Sequence, residues 1–440
     1  MQQIKEPSRM VPVMAETEVL VVGSGPGGLS AALAAAREGV DTMLVERYGC
    51  FGGNITQAQV ETIAWYRHEH TVEAGGIGVE FENRAKDMGG THKDPEALAE
   101  CLYVADKMVQ EAKIVPVLHC FAVGSMMEGN VIKGIITESK SGRQAILAKR
   151  VIDATGDADI AHLTGAPNRK ARGDEMMSVT TSFGCSGVDV KRFKDYVHAN
   201  PARLAEWAGT TSGKEDDLFT PYLGAPFIRA KEEGLIPKNM RVEVIWHSLT
   251  EAGEATHINA VRIHGIDPTD VRDLTRGEIE GRRHAILIVE ALKKYIPGFE
   301  KAKLRTFASS LGIRSSRKII GEYNLTEQDV RNEARFEDAI GIFPEFIDGY
   351  GLVIIPTTGR YFQVPYGIMV PQKVENLLVA GRCVAGDKLS HAATRQMMCC
   401  TVTGQGAGVA AAISIKDQVT CRQVNISKVQ RALEKQGVRI

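Results

Sequence analysis

The hydrophobic period changes early and repeatedly along this chain. Thr17 to Val22 (TEVLVV) is a β-branched apolar run of strand length, and Leu29 to Arg37 (LSAALAAAR) is an Ala/Leu run that favours helix. A second short apolar run, Asp41 to Val45, reads as another strand. Further on, Asp94 as cap and Pro95 at the first helical position open a segment where Ala97, Leu98, Cys101, Leu102, Ala105, Met108, Val109 and Ala112 recur at i, i+3, i+4. From Ile114 to Ala154 the period falls to two. It predicts a meander of strands at Val115–Val123, Val131–Glu138 and Gln144–Ala148, then a fourth strand at Arg150–Ala154.

The later pattern is sparser. A long helix is expected from Thr275 to Tyr295, stopped by Pro297-Gly298, and another from Leu325 to Asp338 with Thr326 as its cap. Asn376 to Ala380 (NLLVA) reads as a short buried strand, and Thr401 to Ile415 as a Gly/Ala-rich helix. The irregular block therefore looks inserted. The expected fold is α/β, a Rossmann-like parallel sheet with a β-meander built from residues 15–167 and 371–440, plus an α+β substrate or cap domain from 168–370.

Between the first strand and helix lies Gly23-Ser24-Gly25-Pro26-Gly27-Gly28, whose glycines at 23, 25 and 28 fit G-x-G-x-x-G. Gly23 permits the tight turn, Gly25 lets backbone approach a pyrophosphate, and Gly28 lets the helix pack on the strand with its N–H groups aimed at the phosphates. Glu46, at the tip of the second strand, suits a ribose hydroxyl. A dinucleotide site explains the turn and the carboxylate together. The run Val19–Ala36 is apolar enough to suggest a membrane span, but its glycines and proline sit at turn positions, so strand–turn–helix is preferred.

Composition narrows the rest. A net charge of −1 over 440 residues, with 44% hydrophobic and 24% charged positions, gives no reason to expect a nucleic-acid partner. The eight cysteines contain no C-x-x-C, which argues against an iron–sulfur cluster or structural zinc and suits reduced thiols in a cytoplasmic protein. His68, His70, His247, His257 and His264 form no H-x-x-x-H pattern, so no metal is expected. No signal-like apolar run occurs near the start.

Three separated segments resemble one family when taken together: the glycine turn with Glu46, Ile152 to Asp157 (IDATGD), and Asn376 to Asp387 (NLLVAGRCVAGD) running into the Gly/Ala helix. With Arg314–Gly321 (RSSRKIIG), Gln363–Pro371 (QVPYGIMVP) and Gly404–Gly408 (GQGAG), the chain resembles the FAD-dependent oxidoreductases of the glutathione-reductase-like flavoprotein superfamily from about residue 15 onward. The resemblance implies FAD, with Gly23, Ser24, Gly25, Pro26, Gly27 and Gly28 at the pyrophosphate and Glu46 and Arg47 at the adenosine half. Gly52, Gly53 and Asn54 would pass the ribityl chain and ring, and Ala122 would contact adenine through its backbone. Ala154, Thr155, Gly156, Gly381 and Gly386 would close the same site. Asp387 would accept from a ribityl hydroxyl or hold waters, and the helix starting near Thr401 would aim its positive end at the flavin.

For chemistry the candidates are His391 and Arg395, which share a helical face just after Gly386-Asp387, and Arg360 and Tyr361 with Tyr366, ahead of the strand that re-enters the cofactor domain. Cys50 lacks the partner a redox disulfide needs and is read as an inert thiol. The expected function is an FAD-dependent oxidoreductase exchanging hydride between a small organic substrate and the flavin. Alternatives are a single-component flavin monooxygenase and a non-catalytic flavin-binding subunit. NAD(P)H or oxygen is a candidate electron partner, and a homo-oligomer is compatible with the sequence.

Overall fold

The computed structural model describes residues 4–5, 7–61, 63, 70–88, 97–173, 176–199, 225–242 and 248–440. The expected helix start at Asp94 and Pro95, and His68 and His247, lie outside the described residues. The chain folds as α/β around a seven-stranded sheet. Strand β1 (Val13–Val22) leads through the glycine turn into helix α1 (Pro26–Arg37) and strand β2 (Thr42–Val45). Helix α2 (Ala97–Glu111) then precedes β3 (Val115–Val117), β4 (Phe121–Glu128), β5 (Val131–Ser139) and β6 (Gly142–Asp153).

The sheet runs β3-β2-β1-β6-β5-β4. β1, β2, β3 and β6 are mutually parallel along the first part, and β5 and β4 continue antiparallel as the meander. Two expected boundaries shift. Val115–Val123 is two strands: β3 joins the parallel set, and the chain turns at Cys120 before β4 begins the meander. Conversely Gln144–Ala148 and Arg150–Ala154 are one strand. The first half of β6 pairs with β5 while its length is shared with β1, so no break is needed.

A second sheet is built on β7 (Val179–Ser186), flanked by β8 (Glu254–Ile263) and β9 (Lys303–Phe307), with Ser248–Leu249 at its edge. Helix α3 (Val271–Tyr295), whose cap Asp270 accepts from the Arg272 N–H, lies between β8 and β9 in sequence and packs on this sheet. Its core holds Phe183, Phe193, Phe227, Ile258, Ile288 and Phe299, with the Phe193 and Phe299 rings edge to face at 5.2 Å. This apolar cluster draws on residues 179–313, whereas Ile319, Leu325, Phe343, Phe362 and Ile368, expected within the inserted block, pack into the main core. The helix expected at Leu325–Asp338 is shorter, Glu327–Arg331; Thr326 does cap it, in a reciprocal box with Asp329.

The chain returns to the first sheet as β10 (Leu377–Val379), parallel to β6. Helix α4 (Lys388–Thr394) and helix α5 (Met397–Lys416) follow. α5 is apolar on all sides, long enough in principle to cross a membrane, and 94% buried over its most apolar window. It packs against α1 through glycine. A Cβ on Gly404 would lie 2.0 Å from the Gly27 carbonyl oxygen, and one on Gly408 would lie 2.2 Å from that of Ala31. The two backbones therefore touch directly. Gly404→Ala is expected to force the helices apart and cost about 1–3 kcal/mol, the range for overpacking a tight core. Urea unfolding of the purified variant measures it.

Candidate active site

The register of the first sheet assembles the site. Val22 pairs with Val45 and with Asp153, Val45 with Val117, and Asp153 with Val379, so the carboxyl ends of five parallel strands share one edge. The ladder continues one residue beyond that edge: Gly23 N–H donates to the Val45 carbonyl, Ala154 to Val22, Glu46 to Val117 and Ala380 to Asp153, all at 2.8–2.9 Å. Segments scattered over the sequence thus leave the sheet side by side, where ligands bind in open α/β sheets. They border a cavity of about 490 Å³.

At this edge the glycine turn is braced from three directions. Gly23 has φ +92°, and a Cβ there would meet the Ala154 carbonyl oxygen at 2.5 Å. A Cβ on Gly28 would lie 1.8 Å from the Gly23 carbonyl oxygen, so helix and strand pack without space for a side chain. The Gly52 N–H donates to the Ser24 carbonyl at 2.9 Å, which pins the loop containing Gly53 and Asn54 onto the turn. Gly25 differs: a Cβ there finds no protein atom closer than Gly53 Cα at 4.0 Å and projects into open space. Gly25 caps α1 without any side-chain hydrogen bond, and Pro26 occupies the first helical position. Gln396 likewise caps α5 without a side-chain bond, and it lines the cavity with Met397. Two helix amino termini with positive partial charge therefore border one space.

Buried polar groups hold this arrangement. Glu46 accepts from the Ser24 N–H at 2.8 Å and hydroxyl at 2.6 Å through one oxygen, and from the Tyr48 N–H at 3.0 Å through the other. Asp153 accepts from the Thr155 N–H and hydroxyl and from the Ala161 N–H, fixing the Ala154–Gly156 turn; burial pushes its carboxyl up to about 6. Arg382, side chain 14% exposed, donates to Asp157 at 2.8 Å through one nitrogen, while its other terminal nitrogen is buried without a partner at the cavity wall.

The opposite wall comes from the second sheet and its flanking loop. β7 supplies Thr180 and Ser182, β8 supplies Asn259 and Arg262, and the loop after β9 supplies residues 310–314. Phe346, Asp348 and Arg395 complete it. The cavity therefore runs from the glycine cradle to the second sheet.

The chain matches the FAD-dependent oxidoreductase family over residues 18–433. It is also 29% identical over 178 residues to the thiamine thiazole synthase of Methanococcus maripaludis strain C6, a match covering 35% of this chain and 62% of that relative. With mitochondrial dihydrolipoyl dehydrogenase of Pongo abelii it shares 26% identity over 188 residues, 40% of this chain and 34% of the other. Among solved structures, a geranylgeranyl bacteriochlorophyll reductase-like protein of Thermoplasma acidophilum aligns over 96% of this chain and 83% of its own, at TM-score 0.48 and 14% identity. The chain belongs to the FAD-dependent oxidoreductase family. Its cofactor is FAD.

The residues present fit that cofactor. A diphosphate suits the open side of Gly25, the uncapped start of α1 and the unpartnered guanidinium nitrogen of Arg382. Of the residues expected around FAD, Gly23 to Gly27, Glu46, Arg47, Gly53, Asn54, Ala122, Ala154, Thr155, Gly156 and Gly381 border the cavity. Gly28 and Gly52 do not border it and act as braces.

Three further expectations are corrected. Asp387 does not border the cavity. One of its oxygens caps α4 through the Leu389 and Ser390 N–H groups, and the other accepts from the Glu327 N–H at 2.7 Å. Gly386 belongs to the same packing, since a Cβ would meet Ser390 Oγ at 2.6 Å. Thr401 lies in the second turn of α5, not at its start, because the helix begins at Met397; its hydroxyl donates to the Met398 carbonyl.

The catalytic candidates separate. Arg360 pairs with Glu345 at 2.7 Å and Glu333 at 3.1 Å, and the Tyr361 ring stacks under Arg335; neither borders the cavity. Tyr366 is buried, donating its hydroxyl to the Cys421 carbonyl. His391 is buried too, with Nε2 3.1 Å from the Arg314 carbonyl. A carbonyl can only accept, so Nε2 carries the proton, and burial holds the ring's pKa well below its ordinary 6.5. It positions Arg314 and does not touch the cavity. Arg395 does border it. Cys50 accepts a 2.6 Å hydrogen bond from Gln57 Nε2, and burial pushes its thiol up, away from reactivity. Nothing in the sequence spacing singles out Arg262, Arg314, Asn259, Ser182 or Arg382, although Arg314 lies in RSSRKIIG and Arg382 in NLLVAGRCVAGD.

Two predictions test this geometry. Gly25→Ala should fold within about 1 kcal/mol of the parent, because its Cβ meets no protein atom, yet purify without flavin, whereas Gly28→Ala should lose both stability and flavin. Thermal melts with flavin-to-protein absorbance ratios check both. For pH, the lowered pKa of His391 means the unfolded chain binds the proton more tightly. Its contribution is present above pH 6.5 and lost as pH falls below that value. His391→Gln should therefore flatten the decline in urea midpoint between about pH 6.5 and pH 5 relative to the parent.

Proposed function

We propose that this flavoprotein moves two electrons as hydride between a small organic substrate and FAD. One observation carries the reading: the dinucleotide cradle and the wall of the second sheet share a single cavity of about 490 Å³. Bound FAD supplies the ring that accepts or returns the electron pair. The chain's own residues do the remaining work.

Gly23–Gly27 and Arg382 hold the diphosphate, and Glu46, Arg47 and Ala122 flank the adenosine half. Gly53, Asn54 and Gln57 lie on the loop braced against the turn, where the resemblance puts the ring. The uncapped start of α5, at Gln396 and Met397, favours negative charge developing nearby. β7, β8 and residues 310–314 exclude water and orient the substrate. Among the described cavity residues there is no histidine or lysine, and the carboxylate on the cap side, Asp348, is held by Arg395 at 3.0 Å. The protein's part on that side is therefore binding and orientation. Oxygen or a transiently bound nicotinamide nucleotide completes the electron balance.

Anaerobic titration of the flavin-loaded protein with small alcohols, amines, hydroxy and amino acids, enoates and NAD(P)H tests the proposal. Bleaching of the oxidised flavin band by at least one compound, at rates of roughly 1–1000 per second, is expected. A fully loaded protein that no compound or nucleotide bleaches would be a flavin-binding subunit. Bleaching by NAD(P)H alone, followed by oxygen incorporation into an aromatic, would instead favour the hydroxylase.

A further inference from the structure

Arg382 reaches the cavity as a side chain whose base and tip are both fixed by protein. It follows β10 in a turn where Gly381 has φ +81° and its N–H donates to the Thr403 hydroxyl of α5 at 2.9 Å. That turn packs on the glycine cradle, since a Cβ on Gly27 would lie 2.9 Å from the Gly381 nitrogen. At its far end the guanidinium lies against the turn after β6. A Cβ on Gly156, which has φ +76°, would fall 2.7 Å from one terminal nitrogen of Arg382, 3.1 Å from Nε and 3.2 Å from Cζ. Glycine at 156 leaves the guanidinium its room.

Asp157 then sets the direction of the side chain. Its Oδ1 accepts from a terminal nitrogen of Arg382 at 2.8 Å and also from the Ser316 hydroxyl. Arg317 donates to the Asp157 carbonyl at 3.2 Å and to the Asp159 carboxylate at 2.8 Å, so the backbone carrying the acceptor is held as well. Asp157 and Ser316 are 3% and 2% exposed, and neither borders the cavity. Arg382 does border it, and its second terminal nitrogen is buried with no hydrogen-bond partner.

A free arginine side chain loses several rotatable bonds when it grips an anion. Here folding has already ordered it, and Asp157 supplies the counter-charge that a buried guanidinium needs. We infer that Asp157 and Ser316 are positioning residues for the cofactor, which together hold Arg382 so that its unpartnered nitrogen meets the FAD diphosphate. The inference rests on placing the diphosphate at Arg382 and is independent of the substrate and of the direction of electron transfer.

A double-mutant cycle read by FAD binding tests it. Each purified variant is equilibrated with a graded series of FAD, bound flavin is separated by ultrafiltration, and thermal melts check folding. Arg382→Gln should weaken FAD about 10- to 100-fold, the loss expected for a charge-assisted bond. Asp157→Asn keeps an acceptor for Arg382 but removes its charge, and should weaken FAD about three- to tenfold. Ser316→Ala leaves the ion pair in place and should weaken it about two- to fivefold. In the Arg382→Gln background both further losses should vanish, to within about twofold, because the two residues act through Arg382. Should Asp157→Asn fail to fold, Ser316→Ala carries the cycle by itself.

If these substitutions weaken FAD as much in the Arg382→Gln protein as in the parent, they act on the fold and not through Arg382, and the inference is wrong. It is equally wrong if Arg382→Gln lowers affinity while neither of the others does. FAD binding indifferent to Arg382→Gln removes the diphosphate contact, and the positioning role with it. No arm of the cycle involves turnover, so the hydride-transfer proposal is judged separately by the bleaching titration.

Discussion

Everything in the site depends on how closely α1 and α5 approach each other. Helices in cores normally sit 8–10 Å apart because side chains separate them. Here Gly404 and Gly408 present bare backbone to Gly27 and Ala31, and no Cβ could be accommodated at either glycine without displacing a carbonyl. That contact lets two helices from opposite ends of the chain begin beside one cavity, the first at the Gly25 cap and the second at Gln396. Their partial positive charges reinforce each other where the cofactor's anionic portions belong.

The sheet supplies the complementary constraint. In-register parallel pairing forces Gly23, Glu46, Ala154 and Ala380 to leave the same edge, and buried carboxylates then tie the turns to one another. Glu46 joins β2 to the glycine turn through Ser24, and Asp153 fixes the turn after β6. The second sheet closes the cavity with a differently charged surface. One wall thus carries the glycine turn and its braces, while the other comes from the second sheet and its flanking loop.

The legible parts of the sequence were those where backbone geometry demands a particular residue. G-x-G-x-x-G, the Ala-Thr-Gly turn and the Gly/Ala helix announce themselves because a side chain at Gly23, Gly28 or Gly404 has nowhere to go. Asp387 misled for a related reason. An aspartate beside a glycine suits either a cofactor hydroxyl or a helix cap, and here α4 and the Glu327 N–H take both of its oxygens. His391 and Arg395 do lie four apart on one helix, yet burial directs the histidine to the Arg314 carbonyl and only the arginine reaches the cavity. Arg262 and Arg314 were illegible because strand register sets Arg262 opposite Thr180 and a long loop path brings the Arg314 guanidinium to the Thr180 hydroxyl.

The glycine cradle and the wall at Glu46, Arg47 and Ala122 predict recognition of the whole dinucleotide, and not of the flavin ring alone. Stripping the protein of cofactor and titrating the apoprotein with FAD and with FMN, followed by quenching of flavin fluorescence, tests it directly. FMN lacks the adenosine half expected beside Glu46, Arg47 and Ala122, and the second phosphate expected at the glycine cradle. FAD should therefore bind at least about a hundredfold more tightly, as expected from losing two or more charge-assisted contacts. Equal affinity for FAD and FMN would contradict recognition of the dinucleotide.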